Sequence, residues 1–173
     1  MLAQADANDL SIVIGDEAFL GSQDKVPVKE MVNLGKGELY FITNAEIKDI
    51  SEIGTLAKLA IPQSAKTIYG GAAAEYIANA GIKSEIIEVA SVPQVSTYVI
   101  SGNVDGGFVN ATEAAALAGK VRTALLISEG YKPIKIVAAR LEACDREAAC
   151  ERFLEILQSE KSQEIFAKFG LKK

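Results

Sequence analysis

A chain of 173 residues has room for one well-buried domain or two small lobes, and its even mix of 49% hydrophobic and 24% charged residues is that of an ordinary globular protein. The formal net charge of −5, with scattered Lys and Arg and no interleaving of aromatic with basic residues, excludes a nucleic-acid platform, and no apolar run approaches the ~20 residues of a membrane span. The sequence has no histidine, which removes the commonest general base and zinc ligand together with every Ser-His or Cys-His nucleophile.

The opening MLAQADANDLSIVIG has neither a basic nor an apolar signal region, so the expectation is a soluble chain from which any export signal has been removed. LSIVIG at 10–15 and GELYFIT at 37–43 are rich in β-branched and aromatic residues and read as buried strands, with a short helix or loop between them. IKDISEIGTLAKLAIP predicts a helix and then a short strand closed by Pro62. GAAAEYIANAG predicts a helix stopped by Gly81. SEIIEVA at 84–90 is the next strand, followed by a helix that Ser91 caps, with Pro93 in its first turn. GGFVNA predicts a strand, TEAAALAG a helix with Thr112 as its cap, and YKPIKIVAARL a further strand. Asp145 is expected to cap a helix reaching about Ser159, and SQEIFAKFG a last amphipathic helix. The alternation over 58–119 implies parallel strands joined by helices, an α/β sheet whose ligands bind at the carboxyl ends of the strands.

Three strand-to-helix loops, SAKTIYGG, ASVPQV and VNATEA, meet at that edge. First-turn amides lack intrahelical partners and carry the positive end of the helix dipole, so such loops attract an oxyanion; they are equally the ordinary helix starts of any α/β domain. At Tyr69 and Gly70 the backbone must approach closely or simply turn. Ser91 and Val92 open a helix, with Gln94 expected in solvent. Asn110 is either a turn residue or a side-chain amide donor. Lys66 is a possible partner for a dianion, although a lone loop lysine is usually solvated. Asp105, Glu113, Asp145, Glu147 and Glu151 sit at turns and helix starts, where capping is their usual role, and Ser64-Ala65-Lys66 is too slight to define a nucleophile with a lysine base. Cys144 and Cys150 match no zinc motif, which leaves a disulfide in an exported chain or two packed thiols.

Taken together, PQSAKTIYGGAAAEYIANAG, VASVPQVSTYVISGNVDGGFVNATEA and the closing ERFLEILQSEKSQEIFAKFG resemble the molybdate-binding proteins of bacterial ABC importers. In that family a loop with Tyr-Gly opens one helix, Ser/Asn-Val/Ile-x-Gln opens the next, and Ser-Gly-Asn-x-Asp-x-Gly-Phe-Val forms the strand returning to the cleft. DANDLSIVIGDEAFL is similar to a region near the end of the family's first segment. The resemblance implies a type II periplasmic-binding-protein-like α/β fold, with one complete α/β lobe and part of a second joined by two crossover strands at GELYFIT and PIKIVAA. Residues 1–43 and 134–173 would form the partial lobe with its tail helices, and residues 44–133 the complete one.

It also implies a ligand site formed by the backbone N–H groups of Tyr69 and Val92 and the side chain of Asn110, beside Gly70 and Ser91. The family carries a tyrosine or an apolar residue where Asn110 stands. The implied role is that of a periplasmic solute-binding component, without cofactor, metal or catalysis, that carries molybdate or tungstate first and sulfate second to an ABC permease. The opening strand and helix that the family carries ahead of this region, with two serine-bearing loops, have no counterpart here, so the expectation is an N-terminally incomplete chain: a fragment, or one completed by a separately encoded segment or by a swapped dimer. Two further readings stay open: a cytosolic ligand-sensing domain of a regulator, and a degenerate scaffold that binds nothing.

Overall fold

The structure, a computed structural model, describes residues 11–21 and 27–172. In chain order its elements are β1 (Ile12–Asp16), α1 (Glu17–Gly21), β2 (Val28–Gly37), β3 (Leu39–Thr43), a 3₁₀ helix (Ile50–Thr55), β4 (Lys58–Pro62), α2 (Ile68–Asn79), β5 (Glu85–Val89) and α3 (Val92–Ile100). Next come β6 (Gly106–Asn110), α4 (Ala111–Ala116), β7 (Thr123–Ile127), β8 (Ile134–Leu141), α5 (Glu147–Gln158), α6 (Glu160–Lys168) and β9 (Leu171–Lys172). The chain divides into unit 1, Met1–Gly37 with Ile134–Lys173, and unit 2, Glu38–Pro133. It passes between them twice, so unit 2 is an insertion in unit 1.

GELYFIT, expected as one crossover strand, is divided at this boundary. Gly37 ends β2 in the sheet of unit 1, and Leu39–Thr43 pairs with strands of unit 2.

In unit 1 the strand order is β1-β8-β2-β9, with β8 antiparallel to both β1 and β2. β2 occupies a stretch expected to be a short helix or loop. Its register shifts between Val28 and Glu30 and again between Asn33 and Gly35, and these irregularities break the two-residue alternation by which a strand is recognised. Val32 and Leu34 nevertheless face a core with Ala138, Leu154 and Leu157, the last two supplied by α5. Cys144 and Cys150 are joined as a disulfide. The helix that holds Cys150, α5, has Arg146 at its cap position without a side-chain capping bond, and Asp145 lies outside it, contrary to the expected cap.

In unit 2 the order is β5-β4-β6-β3-β7. β4 runs parallel to β5 and β6, as the alternation predicts, and β3 runs antiparallel to β6 and β7. β7 has no counterpart in the sequence reading. The core packs Phe41 edge-on against Phe108, ring centroids 5.0 Å apart, with Tyr76 of α2 at 5.6 Å from Phe108. Gly106 leaves room for the Phe41 ring, with which a Cβ there would collide, while a Cβ at Gly107 would sit 2.9 Å from the carbonyl oxygen of Ala60 and collide with Val95 of α3. α2 ends as expected, with Gly81 at φ 66° beyond its last turn.

Candidate functional site

Because β4, β5 and β6 are parallel, their carboxyl ends Pro62, Val89 and Asn110 lie at one edge of the sheet of unit 2. Antiparallel pairing brings the start of β3 and the end of β7 to the same edge, since Leu39 is the register partner of both Asn110 and Ile127. The loops leaving β4 and β5 are tied together there by the N–H of Gln63, which donates to the carbonyl of Val89 at 2.8 Å. Each of the three parallel strands feeds a helix, so α2, α3 and α4 all start at this edge.

A helix start leaves up to four amides without intrahelical acceptors, and the fate of each decides what can be bound. At α2, Thr67 is the cap: its hydroxyl accepts from Gly70 N–H at 3.0 Å, and its carbonyl accepts from Gly71 N–H at 3.0 Å. Ile68 and Tyr69 are left with no acceptor for their N–H groups among the described residues. The N–H of Gly70 is thus engaged within the chain, and its contribution is one of space. A Cβ at this position would lie 2.5 Å from Thr67 Oγ1 and 2.7 Å from the carbonyl oxygen of Gln63.

At α3, Ser91 occupies the cap position with φ −154° and ψ 162°, but its side chain makes no capping bond, contrary to expectation. Its carbonyl instead accepts from the N–H groups of Gln94, at 3.1 Å, and Val95, at 3.3 Å. Gln94 is not simply solvated, because its side-chain oxygen accepts from Ala90 N–H at 2.9 Å. Pro93 has no N–H, so Val92 holds the one first-turn amide left over at α3.

At α4 the cap is Asn110 and not Thr112: Asn110 Oδ1 accepts from Glu113 N–H at 2.9 Å. Capping through Oδ1 leaves the Nδ2 amide of Asn110 as a donor. Glu113 in turn accepts from the Ser96 hydroxyl at 2.7 Å, tying α3 to α4.

At the same edge Tyr131 makes contacts that no local sequence pattern announces. The hydroxyl of Tyr131 accepts from Leu39 N–H at 3.3 Å and donates to the carbonyl of Ile127 at 3.0 Å, clasping β3 and β7. The half-buried Tyr69 phenol is pushed up to about 12, first by burial and then by Tyr131 and the Glu38 carboxylate. It is therefore a neutral O–H at physiological pH. Lys66 is exposed, and the hydroxyl of Ser64 donates to Glu88 rather than to Lys66. Among the described residues no three Cys, Asp or Glu side chains are grouped to hold a metal ion, and no helix is long and apolar enough to cross a membrane. The edge offers neutral donors, the means by which a protein holds a fully charged anion without a counter-charge.

An α/β unit inserted in another, with helix starts gathered at the carboxyl edge of its parallel strands, is the architecture of a periplasmic-binding-protein-like fold. The chain belongs to the bacterial extracellular solute-binding protein family, whose model matches residues 3–172. This is a family of solute-binding proteins.

Among curated relatives it is 26% identical over 143 residues to the molybdate-binding protein ModA of Rhodobacter capsulatus, a match covering 79% of this chain and 56% of that protein. The chain therefore spans little more than half the length of that relative. Among solved structures, a substrate binding domain assigned to a molybdenum ABC transporter of Clostridium difficile superposes with a TM-score of 0.77 at 25% identity, covering 99% of this chain and 81% of the other. The periplasmic molybdate-binding protein of Azotobacter vinelandii superposes with a TM-score of 0.81 at 19% identity, covering 99% and 82%.

Proposed function

We propose that this chain binds a tetrahedral oxyanion, molybdate or tungstate first and sulfate second, in the periplasm and delivers it to the permease of an ABC importer. The observation that carries this reading is the pair of first-turn amides at Tyr69 and Val92, left without acceptors at one sheet edge beside the Nδ2 amide of Asn110. In this reading donors from three separate helix starts at one sheet edge hold a tetrahedral anion by charge-assisted hydrogen bonds, and the helix dipoles add to the attraction. The curated relative and both solved structures named above are described as molybdate or molybdenum proteins, which supports the choice of ligand. Gly70 keeps the Tyr69 amide close to the loop after β4, and Ser91 presents that of Val92.

The test is a thermal-shift and calorimetric titration with molybdate, tungstate, sulfate and phosphate. A ligand at about 100 times its dissociation constant stabilises the fold by ~2.7 kcal/mol. A selective shift with molybdate or tungstate is the expected result. Equal indifference to all four anions would refute the reading for this chain.

A further inference from the structure

Helix α5 is anchored at its start in an unusual way. Arg146, at the cap position with φ −102° and ψ 62°, makes no side-chain capping bond. The first turns are held instead by covalent and ionic links. Cys150, within the helix, is bonded to Cys144 in the turn after β8, and both residues are buried. Glu151 pairs with Arg140 of β8 at 3.2 Å, and Glu147 pairs with Lys29 of β2. Arg140 is 6% exposed, and its Nε is buried without a hydrogen-bond partner, so this cation depends on Glu151 and on Glu30, at 3.6 Å, for compensation. Farther along, the same helix supplies Leu154 and Leu157 to the core of unit 1.

We propose that the Cys144–Cys150 pair is a redox latch on α5: closed, it fixes the helix start against β8 and holds Glu151 on Arg140; open, it releases that start while unit 2 stays folded. Closure is a thiol–disulfide exchange with a disulfide-bearing oxidant, either a protein dithiol oxidase or a small disulfide such as oxidised glutathione. One cysteine thiolate attacks the oxidant's disulfide and expels one thiolate; the second cysteine thiolate then attacks the mixed disulfide and expels the other. The two cysteines lose two protons and two electrons, and one disulfide of the oxidant becomes two thiols. Such a bond persists in oxidising compartments and is reduced in the cytosol, so the latch ties completion of unit 1 to the compartment the chain occupies. The inference rests on unit 1 alone and does not depend on the anion site.

The experiment is hydrogen exchange, followed by mass spectrometry, on the whole chain in three states: as oxidised, after dithiothreitol, and after re-oxidation with glutathione disulfide. Reduction is expected to lower the protection of amides in Glu147–Gln158 at least ~10-fold, to leave those of Gly106–Asn110 unchanged, and to be reversed on re-oxidation. The C144S/C150S double variant is expected to match the reduced state. Should that variant not fold, reduction of the folded wild-type chain decides by itself. Unchanged protection of α5 on reduction, an equal loss in α5 and β6, or two free thiols after air oxidation would each overturn the proposal.

Discussion

Thr67 Oγ1 lies 3.0 Å from the amide of Gly70, from which it accepts, and 2.9 Å from the carbonyl of Gln63, to which it donates. One hydroxyl thus closes the turn after β4 and takes the third amide of α2 out of competition for a ligand. Thr67→Val keeps the shape and removes both bonds, so it is expected to cost about 1 kcal/mol in urea unfolding, whereas Thr67→Ser retains most of the stability.

Gly70 and Gly71 are neighbours with opposite expectations. At Gly70 a methyl group meets Thr67 Oγ1 and the backbone oxygens of Pro62 and Gln63, so Gly70→Ala is expected to destabilise by about 1–3 kcal/mol and to weaken oxyanion binding by shifting the Tyr69 amide. At Gly71 the nearest atom to a Cβ is the Ser64 carbonyl oxygen at 3.5 Å, so Gly71→Ala fits and raises stability by about 0.5–1 kcal/mol through helix propensity. Paired denaturation curves read both; the same sign for the two variants would contradict the geometry.

Asn110 joins its observed cap to the donor role proposed above, and a pair of substitutions separates the two. Asn110→Asp keeps an acceptor for Glu113 N–H, and with it the cap, but replaces the Nδ2 donor by a negative oxygen. Its melting temperature is expected to stay within a few degrees of wild type while oxyanion affinity falls at least ~30-fold, the loss of one charge-assisted bond together with added repulsion. Asn110→Ala loses cap and donor alike. Calorimetry alongside thermal melts distinguishes the two.

The phenol of Tyr69 supplies a pH signature. With a folded-state value of about 12 against an ordinary 10, the unfolded chain gives up this proton first as pH rises. The folded state then binds more protons than the unfolded one, so the stabilisation is complete below pH 10 and is lost between pH 10 and 12, up to about 2 kcal/mol. Ultraviolet titration of tyrosinate absorbance in wild type and Tyr69→Phe checks this. The late-titrating component is expected to shrink in the variant, and the fall in stability above pH 10 to become shallower.

Legibility in the sequence followed the range of the forces involved. The parallel β4, β5 and β6, with α2 and α3 between them, are written locally: apolar runs bounded by Gly, Pro and Ser, and a glycine stop at Gly81. The three helix starts at one edge follow from that alternation alone. Which residue caps each start did not follow, because Ser91, Asn110 and Thr112 are all competent caps and the local backbone path selects among them. β2 escaped because its bulges scramble the alternation and its Lys29 and Glu30 are compensated by Glu147 and Arg140, more than 100 residues away. The Tyr131 clasp on Leu39 is a contact across 92 residues and leaves no mark at either position.

β1 and β2 do not pair with each other; both pair with β8, which begins only at Ile134. During synthesis β1 and β2 therefore leave the ribosome without their shared partner, and they wait while the strands and helices of unit 2 are made. The inserted unit has its complete core by Pro133 and is able to collapse first, and the polypeptide on either side of it is then gathered when β8 arrives to fill the gap between two strands already present. The order of chain emergence thus makes β8 the keystone of a unit whose two halves are separated in time as well as in sequence.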